Sequence, residues 1–142
     1  MEREVVTLSG HDHLDLADDI MRLGRIRHMP VVADNRLVGV LSQRDLFRAA
    51  ASSVLTFPRR AEREWLSKIR VDEVMVSPAI SARPEWSVQQ AVETMLENKI
   101  GCLPVVDGDQ LVGLLSETDC LRLLARFLRS NASPTDVSKC GE

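Results

Sequence analysis

Two serine–aspartate pairs carry the most informative polar side chains of this sequence. Ser42 and Asp45 form the first pair, and Ser116 and Asp119 form the second. Each pair follows a Gly-apolar-apolar stretch typical of a strand end and opens a helical pattern, where free backbone N–H groups suit an anion such as phosphate. The serine hydroxyl can add a hydrogen bond, and the carboxylate can accept two from the vicinal hydroxyls of a ribose. The spacing therefore suits a nucleotide, with phosphate at serine and sugar at aspartate.

The same spacing also has a purely structural interpretation. Ser-x-x-Asp is close to a capping box, in which the two side chains only satisfy free N–H groups at a helix start. For one isolated copy this interpretation would be preferred, because short motifs often mislead. Two copies after the same strand pattern favour a shared binding role, and one pair can both cap and bind.

Both pairs lie within a longer internal repeat. Residues 30–45 read PVVADNRLVGVLSQRD, and residues 104–119 read PVVDGDQLVGLLSETD, with nine of the sixteen positions identical. A repeat of this length indicates that one supersecondary unit was doubled. A site in one copy is therefore expected to have a relative in the other.

Each copy predicts the order strand, helix, strand, strand, helix. Short first strands are predicted at residues 5–8 and 79–82, of which the first is rich in β-branched side chains. The helices that follow are predicted to begin at Asp12 and at Ser87, which has a glutamine three residues later, as in a capping box. Helical spacing of apolar residues continues from both.

The second and third strands of each copy carry the repeat itself. The second strands are predicted to begin at Pro30 and Pro104, because proline is tolerated at the first residue of a strand. The third strands, at residues 37–41 and 111–115, are apolar nearly throughout and should be covered on both faces. One copy has too small a core to stand alone, so the two should pack on each other in an α+β fold.

The chain divides at its changes of pattern. We predict a first repeat at residues 1–50, an inter-repeat linker helix at 51–70, a second repeat at 71–130 and a flexible tail at 131–142. The linker carries a possible apolar stripe that includes Trp65.

Composition excludes several classes of protein. The 142 residues carry a net charge of −3, which disfavours a nucleic-acid binder, since such domains usually show a basic stripe. No run of 18 apolar residues or signal-peptide pattern is present, so neither membrane insertion nor export is expected. Three cysteines without a CxxC pair fit a reducing compartment, and we predict a cytoplasmic location.

Other reactive side chains favour structural roles. The His11-Asp12-His13 triplet could bind a metal but is better interpreted as a helix cap with solvent-facing neighbours, because no further ligand lies at a suitable spacing. Cys102 and Cys120 occupy apolar positions of the repeat and are predicted to be core residues. Three arginines of the linker are predicted to form a solvated helix face rather than a polyanion site: Arg59, Arg60 and Arg63.

With these motifs in place, the sequence resembles a tandem pair of cystathionine-β-synthase (CBS) domains over nearly all of residues 4–129. The resemblance rests on the PVVD-like strand, the LVG-apolar-apolar-Ser-x-x-Asp ending, and the Asp-Glu-Val-Met stretch at residues 72–75 that leads into the second copy. It implies two βαββα repeats packed sheet to sheet about a pseudo-twofold axis. It also implies dimerisation through helices, adenine nucleotides in two clefts, and regulation of a linked enzyme, channel or transporter.

The resemblance further implies roles for single residues. Asp45 and Asp119 would hold ribose, and Ser42 and Ser116 would hold phosphate. Beside the phosphate would lie Arg44 and Thr118. The base would be walled by two triplets and by residues of the first strands: His28, Met29, Pro30, Cys102, Leu103, Pro104, Thr7, Ile80 and Ser81. One departure is that the Asp-x-x-Met lead-in of the second copy has no counterpart before Val5. Either the first cleft is expected to lack part of its wall, or the chain is expected to be a piece of a longer one.

The sequence thus predicts a non-catalytic regulatory module. It would sense an adenosine-containing ligand (AMP, ADP, ATP or S-adenosylmethionine) and transmit binding to a partner or a fused effector, with no metal and no further cofactor. The alternative is a structural dimerisation module whose clefts stay empty and whose Ser–Asp pairs are only caps. An enzyme is disfavoured, because no general base, nucleophile or metal set converges in the sequence.

Overall fold

The computed structural model describes residues 1–51 and 59–131, which form an α+β fold built from two βαββα repeats. The elements in chain order are β1 (Leu8–Ser9), α1 (Leu14–Gly24), β2 (His28–Ala33), β3 (Arg36–Ser42), α2 (Gln43–Ala51), α3 (Arg59–Leu66), α4 (Val71–Val74), α5 (Val88–Asn98), β4 (Cys102–Asp107), β5 (Gln110–Ser116) and α6 (Glu117–Ser130). The predicted fold class is confirmed. The predicted domain boundaries stay a prediction, and parts of the linker (52–58) and of the tail (132–142) lie outside the described residues.

The strands of the two repeats join through a single residue pair. The strand order is β1-β2-β3-β5-β4, and β3 meets β5 only where Arg36 lies opposite Gln110. Two backbone hydrogen bonds flank this pair, from Leu37 N–H to the Asp109 carbonyl (3.2 Å) and from Leu111 N–H to the Asn35 carbonyl (3.0 Å). These bonds join equivalent positions of the two copies, as a pseudo-twofold axis between them requires.

The first strands are shorter than predicted. Only Leu8 and Ser9 pair with β2, and the second copy keeps a single bridge between Ala82 and Val105. The reason is that the chain before each first strand belongs to the other repeat. Glu2 exchanges two backbone hydrogen bonds of 2.9 Å with Leu114 of β5, which draws the N-terminal segment away from β2.

The lead-in to each repeat therefore crosses to the opposite half. Val76 pairs with Val40 of β3 through two backbone hydrogen bonds (2.9 and 3.1 Å), as Glu2 pairs with Leu114 of β5. The methionine before each crossing residue lies over a glycine of the facing strand. The first repeat was expected to have no counterpart of the Asp-x-x-Met lead-in, and this was wrong for the methionine. Met1 lies on Gly113 in the same way as Met75 lies on Gly39.

The second strands begin two residues earlier than predicted. β2 starts at His28 and β4 at Cys102, so each proline is the third strand residue. Pro30 lies opposite Val40, whose N–H and carbonyl bond to Val76 instead. Pro30 therefore costs no hydrogen bond between β2 and β3, because Val40 opposite it would not bond to an N–H at this position.

Two further local predictions were wrong, and one is confirmed. His13 rather than Asp12 is the N-cap of α1, because the Asp12 carboxylate accepts a hydrogen bond from Ser9 N–H (2.8 Å). The third strands are not covered on both faces, since Val112 of β5 is 36% exposed. The capping box of α5 is confirmed, with the Ser87 side chain accepting from the N–H three residues later.

The described helix of the linker, α3, packs on α1 and α2 of the first repeat. Leu66 of α3 is buried in the first core cluster, and the Trp65 indole N–H donates to the Ala49 carbonyl of α2 (3.1 Å). Arg63 forms a bidentate pair with Asp19 of α1 at 2.6 Å, and Arg60 is exposed. Both positions fit the solvated face predicted for the three arginines, of which the Arg59 side chain lies outside the described part of the chain. The helices α5 and α6 of the second repeat have no such cover among the described residues.

The close approach of the crossing segment to Gly39 gives a first expected result. A Cβ at this position would lie 2.6 Å from the Met75 sulphur and 2.9 Å from the backbone carbonyl of Val76. We expect Gly39→Ala to lower the free energy of unfolding by about 1–3 kcal/mol, because the carbonyl cannot move without breaking its strand pairing. Urea denaturation measures this loss. Gly24→Ala is the control, since its nearest atom is 3.6 Å away, and an equal loss there would contradict the argument.

Candidate functional site: a cleft between the two repeats

A cleft of about 1580 Å³ opens between the two repeats. Its walls come from the starts of β2 and β4, the start of α2, the crossing segment around residues 76–80, and faces of α5 and α6. Both copies of the repeat therefore contribute to one cavity. A small molecule bound there would contact both halves of the fold.

Ser42 and Asp45 line this cleft and form a complete capping box. One oxygen of Asp45, Oδ2, accepts hydrogen bonds from the N–H of Ser42 (2.8 Å) and from its hydroxyl (2.8 Å). The Ser42 hydroxyl oxygen in turn accepts from Asp45 N–H (3.1 Å). The capping interpretation is therefore correct for this pair. The second carboxylate oxygen, Oδ1, has no hydrogen bond to the described residues, so it remains available to a ligand.

The second pair caps its helix in the same way but lies elsewhere. Asp119 Oδ2 accepts from the Ser116 N–H (2.9 Å) and hydroxyl (3.0 Å), and the hydroxyl oxygen accepts from Asp119 N–H (3.2 Å). Arg122 approaches Asp119 Oδ1 at 3.5 Å. Neither Ser116 nor Asp119 lines the cleft. The two copies of the motif thus have the same local geometry and different surroundings.

The structure divides the predicted site residues into three groups. Those that line the cleft are Ser42, Arg44, Asp45, His28, Ile80 and Cys102. Those that are fully or almost fully buried behind it are Met29, Pro30, Leu103 and Pro104. Those that do not line it are Ser116, Thr118, Asp119, Thr7 and Ser81. The second group was predicted to wall a base, but Met29 and Leu103 lie in the two core clusters. Pro30 and Pro104 are buried as well.

The cleft combines one repeat's Ser–Asp pair with the other repeat's lead-in. Ile80 and Ala79, which lie near the start of the second repeat, line the same cavity as Ser42 and Asp45. The sequence identified Ile80 as a site residue, but it did not show which of the two Ser–Asp pairs shares a cavity with it. That assignment follows from the crossing of each lead-in to the opposite half.

Sequence reasoning missed several lining residues. The charged ones are Arg27, Arg48, Lys99 and Glu117, and the apolar ones on α5 include Val88, Val92 and Leu96. One signal was present, because Arg48 follows Arg44 by one helical turn. The others lie far apart in the chain, and only the packing of the repeats brings them together.

His28 lies where the two repeats meet. A Cβ on Gly101 would be 3.0 Å from the imidazole Cε1 and 3.4 Å from a carboxylate oxygen of Glu117, so the absence of a side chain allows this approach. Burial lowers the pKa of His28 below its usual 6.5, and Arg27 and Arg44 act in the same direction. The carboxylates of Glu117 and Asp45 oppose this lowering of the His28 pKa.

The lowered pKa of His28 makes stability depend on pH. The unfolded chain takes up a proton near pH 6.5 and the folded chain only at lower pH, so the free energy of unfolding should fall as pH drops below about 6.5. We expect His28→Gln to lose part of this dependence. Urea denaturation at pH 7.5 and pH 5.5 of both proteins measures it, and His11→Gln is a control on an exposed histidine. An unchanged pH slope in His28→Gln would contradict the assignment.

Cys102 and Cys120 pack as core residues, as predicted, and Cys140 lies outside the described residues. Cys102 is buried, and burial raises the pKa of its thiol to about 12. Cys120 is half-buried against the second core cluster, and burial raises its thiol pKa too. Neither thiol is therefore a ready nucleophile at neutral pH.

The described residues hold neither a cluster of metal ligands nor a membrane-spanning helix. Within residues 1–51 and 59–131, no three His, Cys, Asp or Glu side chains converge as a metal site would require. Over the same part of the chain, every helix is too short or too polar to cross a membrane.

Comparison with known proteins identifies the repeat. Residues 1–52 and 71–126 match the family model described as CBS domain, which covers well over half of the chain. The inosine-5′-monophosphate dehydrogenase of Thermoplasma acidophilum is 32% identical over 121 residues, which are 84% of this chain but 21% of that protein. The chain spans less than half the length of several curated relatives that it matches.

Solved structures show the same fold. A Vibrio cholerae protein named for acetoin utilization, AcuB, is 32% identical, with 94% of each chain covered and a TM-score of 0.76. The CBS domain pair of MJ0100, solved with 5′-methylthioadenosine and S-adenosylmethionine, is 24% identical, with 87% of this chain and 93% of that one covered and a TM-score of 0.73. The doubled unit, the family model and these likenesses together show that the chain belongs to the CBS domain family.

Proposed function

We propose that this CBS pair is a non-catalytic regulatory module that binds an adenosine-containing ligand in the cleft between its repeats. The observation that carries the proposal is the position of Ser42 and Asp45 in a cavity to which both repeats contribute. The free oxygen of Asp45 is a suitable acceptor for ribose hydroxyls. The MJ0100 pair holds two adenosine compounds, which supports the view that this fold can accommodate such ligands.

The lining chemistry fits the parts of a nucleotide. Apolar side chains of the crossing segment and of α5, including Ile80 and Val92, provide a surface for a flat base. Polar groups at the start of α2 provide hydrogen bonds for the sugar and for an anionic group. Pockets for small molecules typically combine a mostly apolar lining with a few placed polar groups.

Binding in this cleft would be transmitted by a shift of population. A ligand that contacts both repeats favours the arrangement in which their groups converge on it, by the difference of its affinities for the two arrangements. A partner protein, a fused effector or a second copy of the chain would respond to that arrangement.

Isothermal calorimetry with AMP, ATP and S-adenosylmethionine tests the proposal. We expect a micromolar dissociation constant for at least one of them, on the order of −8 kcal/mol. No heat and no thermal shift at millimolar ligand would refute ligand sensing. Conversion of the ligand to a product would refute the non-catalytic role.

A structural dimerisation module is the second candidate, and one observation favours it. The helix α6 has no buried residue, and its apolar side chains Leu124 and Phe127 are 50% and 63% exposed. Phe47 of α2 is 75% exposed beside the same cavity. Large apolar side chains exposed together on neighbouring helices usually mark an interface, and a twofold pairing is the commonest way to cover it. We propose that the chain forms a homodimer through it, with or without a ligand.

A further inference from the structure

The linker helix α3 covers a helix face of the first repeat that has a counterpart in the second repeat. It packs on both α1 and α2. Arg63 pairs with Asp19 of α1, and the Trp65 indole N–H donates to the Ala49 carbonyl of α2. Leu66, the residue after this tryptophan, is buried in the first core cluster. One amphipathic helix therefore fills the groove between the two helices of the first repeat.

The second repeat keeps an acidic anchor point for such a helix. When the two copies are aligned on Pro30 and Pro104, Glu93 of α5 stands in the place of Asp19. Glu93 accepts a hydrogen bond from Gln89 (2.9 Å) and forms no ion pair with any other residue of 1–51 and 59–131. A carboxylate that can receive an arginine is therefore present at the equivalent position.

The groove between α5 and α6 is also more apolar than the covered one. Asp18 and Arg22 lie beside α3, and their counterparts in α5 are Val92 and Leu96. The alanine of α2 that receives the indole bond has a leucine as its counterpart in α6, Leu123. These three apolar side chains line the cleft, and Leu96 and Leu123 are exposed. Exposed apolar side chains that line one groove favour an occupant, since binding removes their surface from water.

The size of the cleft supports an occupant in addition to a small ligand. Its volume of about 1580 Å³ exceeds the roughly 300–1000 Å³ that is typical of small-molecule pockets. The polar groups that suit a small ligand lie at the start of α2, whereas the apolar groove lies on α5 and α6. A ligand beside Asp45 therefore does not account for the apolar part of the cavity.

We infer that the groove between α5 and α6 receives an amphipathic helix of a partner protein, with the side chains that α3 places on the first repeat. This helix carries an aromatic residue followed by leucine, and an arginine two positions before the aromatic residue. Its arginine pairs with Glu93, and its apolar pair covers Leu96 and Leu123. The inference goes beyond the proposed ligand and does not depend on it. A second copy of the chain that covers the same face competes with the partner helix.

A peptide with the sequence of residues 60–70, which carries the α3 side chains named above, tests the inference. The full chain is titrated into the fluorescein-labelled peptide, and fluorescence polarisation reports binding. We expect a dissociation constant of about 10–100 µM, because a short isolated helix must fold as it binds. A control peptide with Leu66→Glu should bind about tenfold more weakly or worse, since it places an unpaired charge in the groove.

A charge swap identifies where the peptide binds. We expect Glu93→Arg in the protein to weaken the peptide about two- to fivefold, the range of an exposed ion pair. A peptide with Arg63→Glu should recover this loss on the Glu93→Arg protein and on no other. Glu97→Arg is the matched control, because it makes the same change one turn later on α5. Its counterpart in α1 is Leu23, which α3 leaves 88% exposed, so this variant should bind the peptide normally.

A second pair of variants tests the apolar part of the groove. Leu124→Glu should abolish peptide binding, and Leu23→Glu should retain it, because only Leu124 lines the cleft. An unchanged melting temperature shows that each variant is folded. If the wild-type chain scatters as a dimer, a saturating concentration of the peptide should convert it to monomers.

Three results would overturn the inference. The first is a wild-type protein that does not bind the peptide. The second is equal binding to wild type, Glu93→Arg and Leu124→Glu, which shows that the peptide only displaces α3 from the first repeat. The third is a dimer that persists at a saturating peptide concentration, which identifies a second copy as the occupant of the groove. Failure of adenosine compounds to bind refutes the proposed ligand and leaves this inference standing.

Discussion

Replacing Asp45 by alanine is expected to abolish most ligand affinity, with a loss of about 1.5–3 kcal/mol or roughly ten- to more than a hundredfold. The free Oδ1 atom lies in the cleft, and hydrogen bonds from ribose hydroxyls to a carboxylate are of the charge-assisted kind. Adenosine and its nucleotides should lose affinity alike, since all carry the same ribose. Calorimetry on the purified variant measures this loss.

Asp119→Ala is the matched control for the Asp45 variant. Both substitutions remove the two hydrogen bonds that the carboxylate accepts from the serine, so each should lower the free energy of unfolding by about 1 kcal/mol. Only Asp45 lines the cleft. If the two variants lose equal stability and both bind the ligand normally, the Ser–Asp pairs are caps alone and the dimerisation module becomes the better interpretation.

Replacing Leu124 by glutamate is expected to convert a dimer into monomers. Leu124 lies on the uncovered face of α6 together with Phe127, and an unpaired charge buried in an apolar interface costs about 3–5 kcal/mol. The dimer should therefore dissociate more than a hundredfold more readily. Light scattering at tens of micromolar distinguishes the outcomes, because the chain mass is 15.9 kDa.

Leu23→Glu provides the control for the interface. Leu23 is the most exposed of the large apolar side chains at 88%, but it lies at the end of α1 and does not line the cleft. We expect this variant to keep the wild-type mass in solution. A wild-type protein that scatters as a monomer would refute the dimer, and a dimer that survives Leu124→Glu would move the interface away from α6.

The linker illustrates why the apolar surface could not be assigned from the sequence. From the sequence, the apolar stripe around Trp65 could have packed on the exposed helix faces of either repeat within one chain. In the structure it covers α1 and α2 of the first repeat, through Leu66 in the core and the Trp65 bond to Ala49. The equivalent face of the second repeat remains open among the described residues, and this difference between two similar repeats depends on packing alone.

The sequence by itself determined the repeat, the order of its elements and the capping geometry of the Ser–Asp pairs. These features are local, because hydrogen bonds at a helix start join residues three positions apart and apolar periodicity follows from backbone geometry. The same reasoning placed Met29 and Leu103 at the ligand, but successive strand residues face opposite sides. His28 and Cys102 line the cleft, and the residue after each lies in a core.

Only the tertiary structure decided which copy of the motif forms the cleft and what surrounds it. Val76 and Glu2 pair with the third strand of the opposite repeat, so each lead-in crosses between the halves. That crossing places Ile80 in the same cavity as Asp45, and the packing of the repeats adds Lys99 from the end of α5. Contacts of this kind join residues that are distant in the chain, and their selection depends on how the two repeats pack rather than on any local pattern.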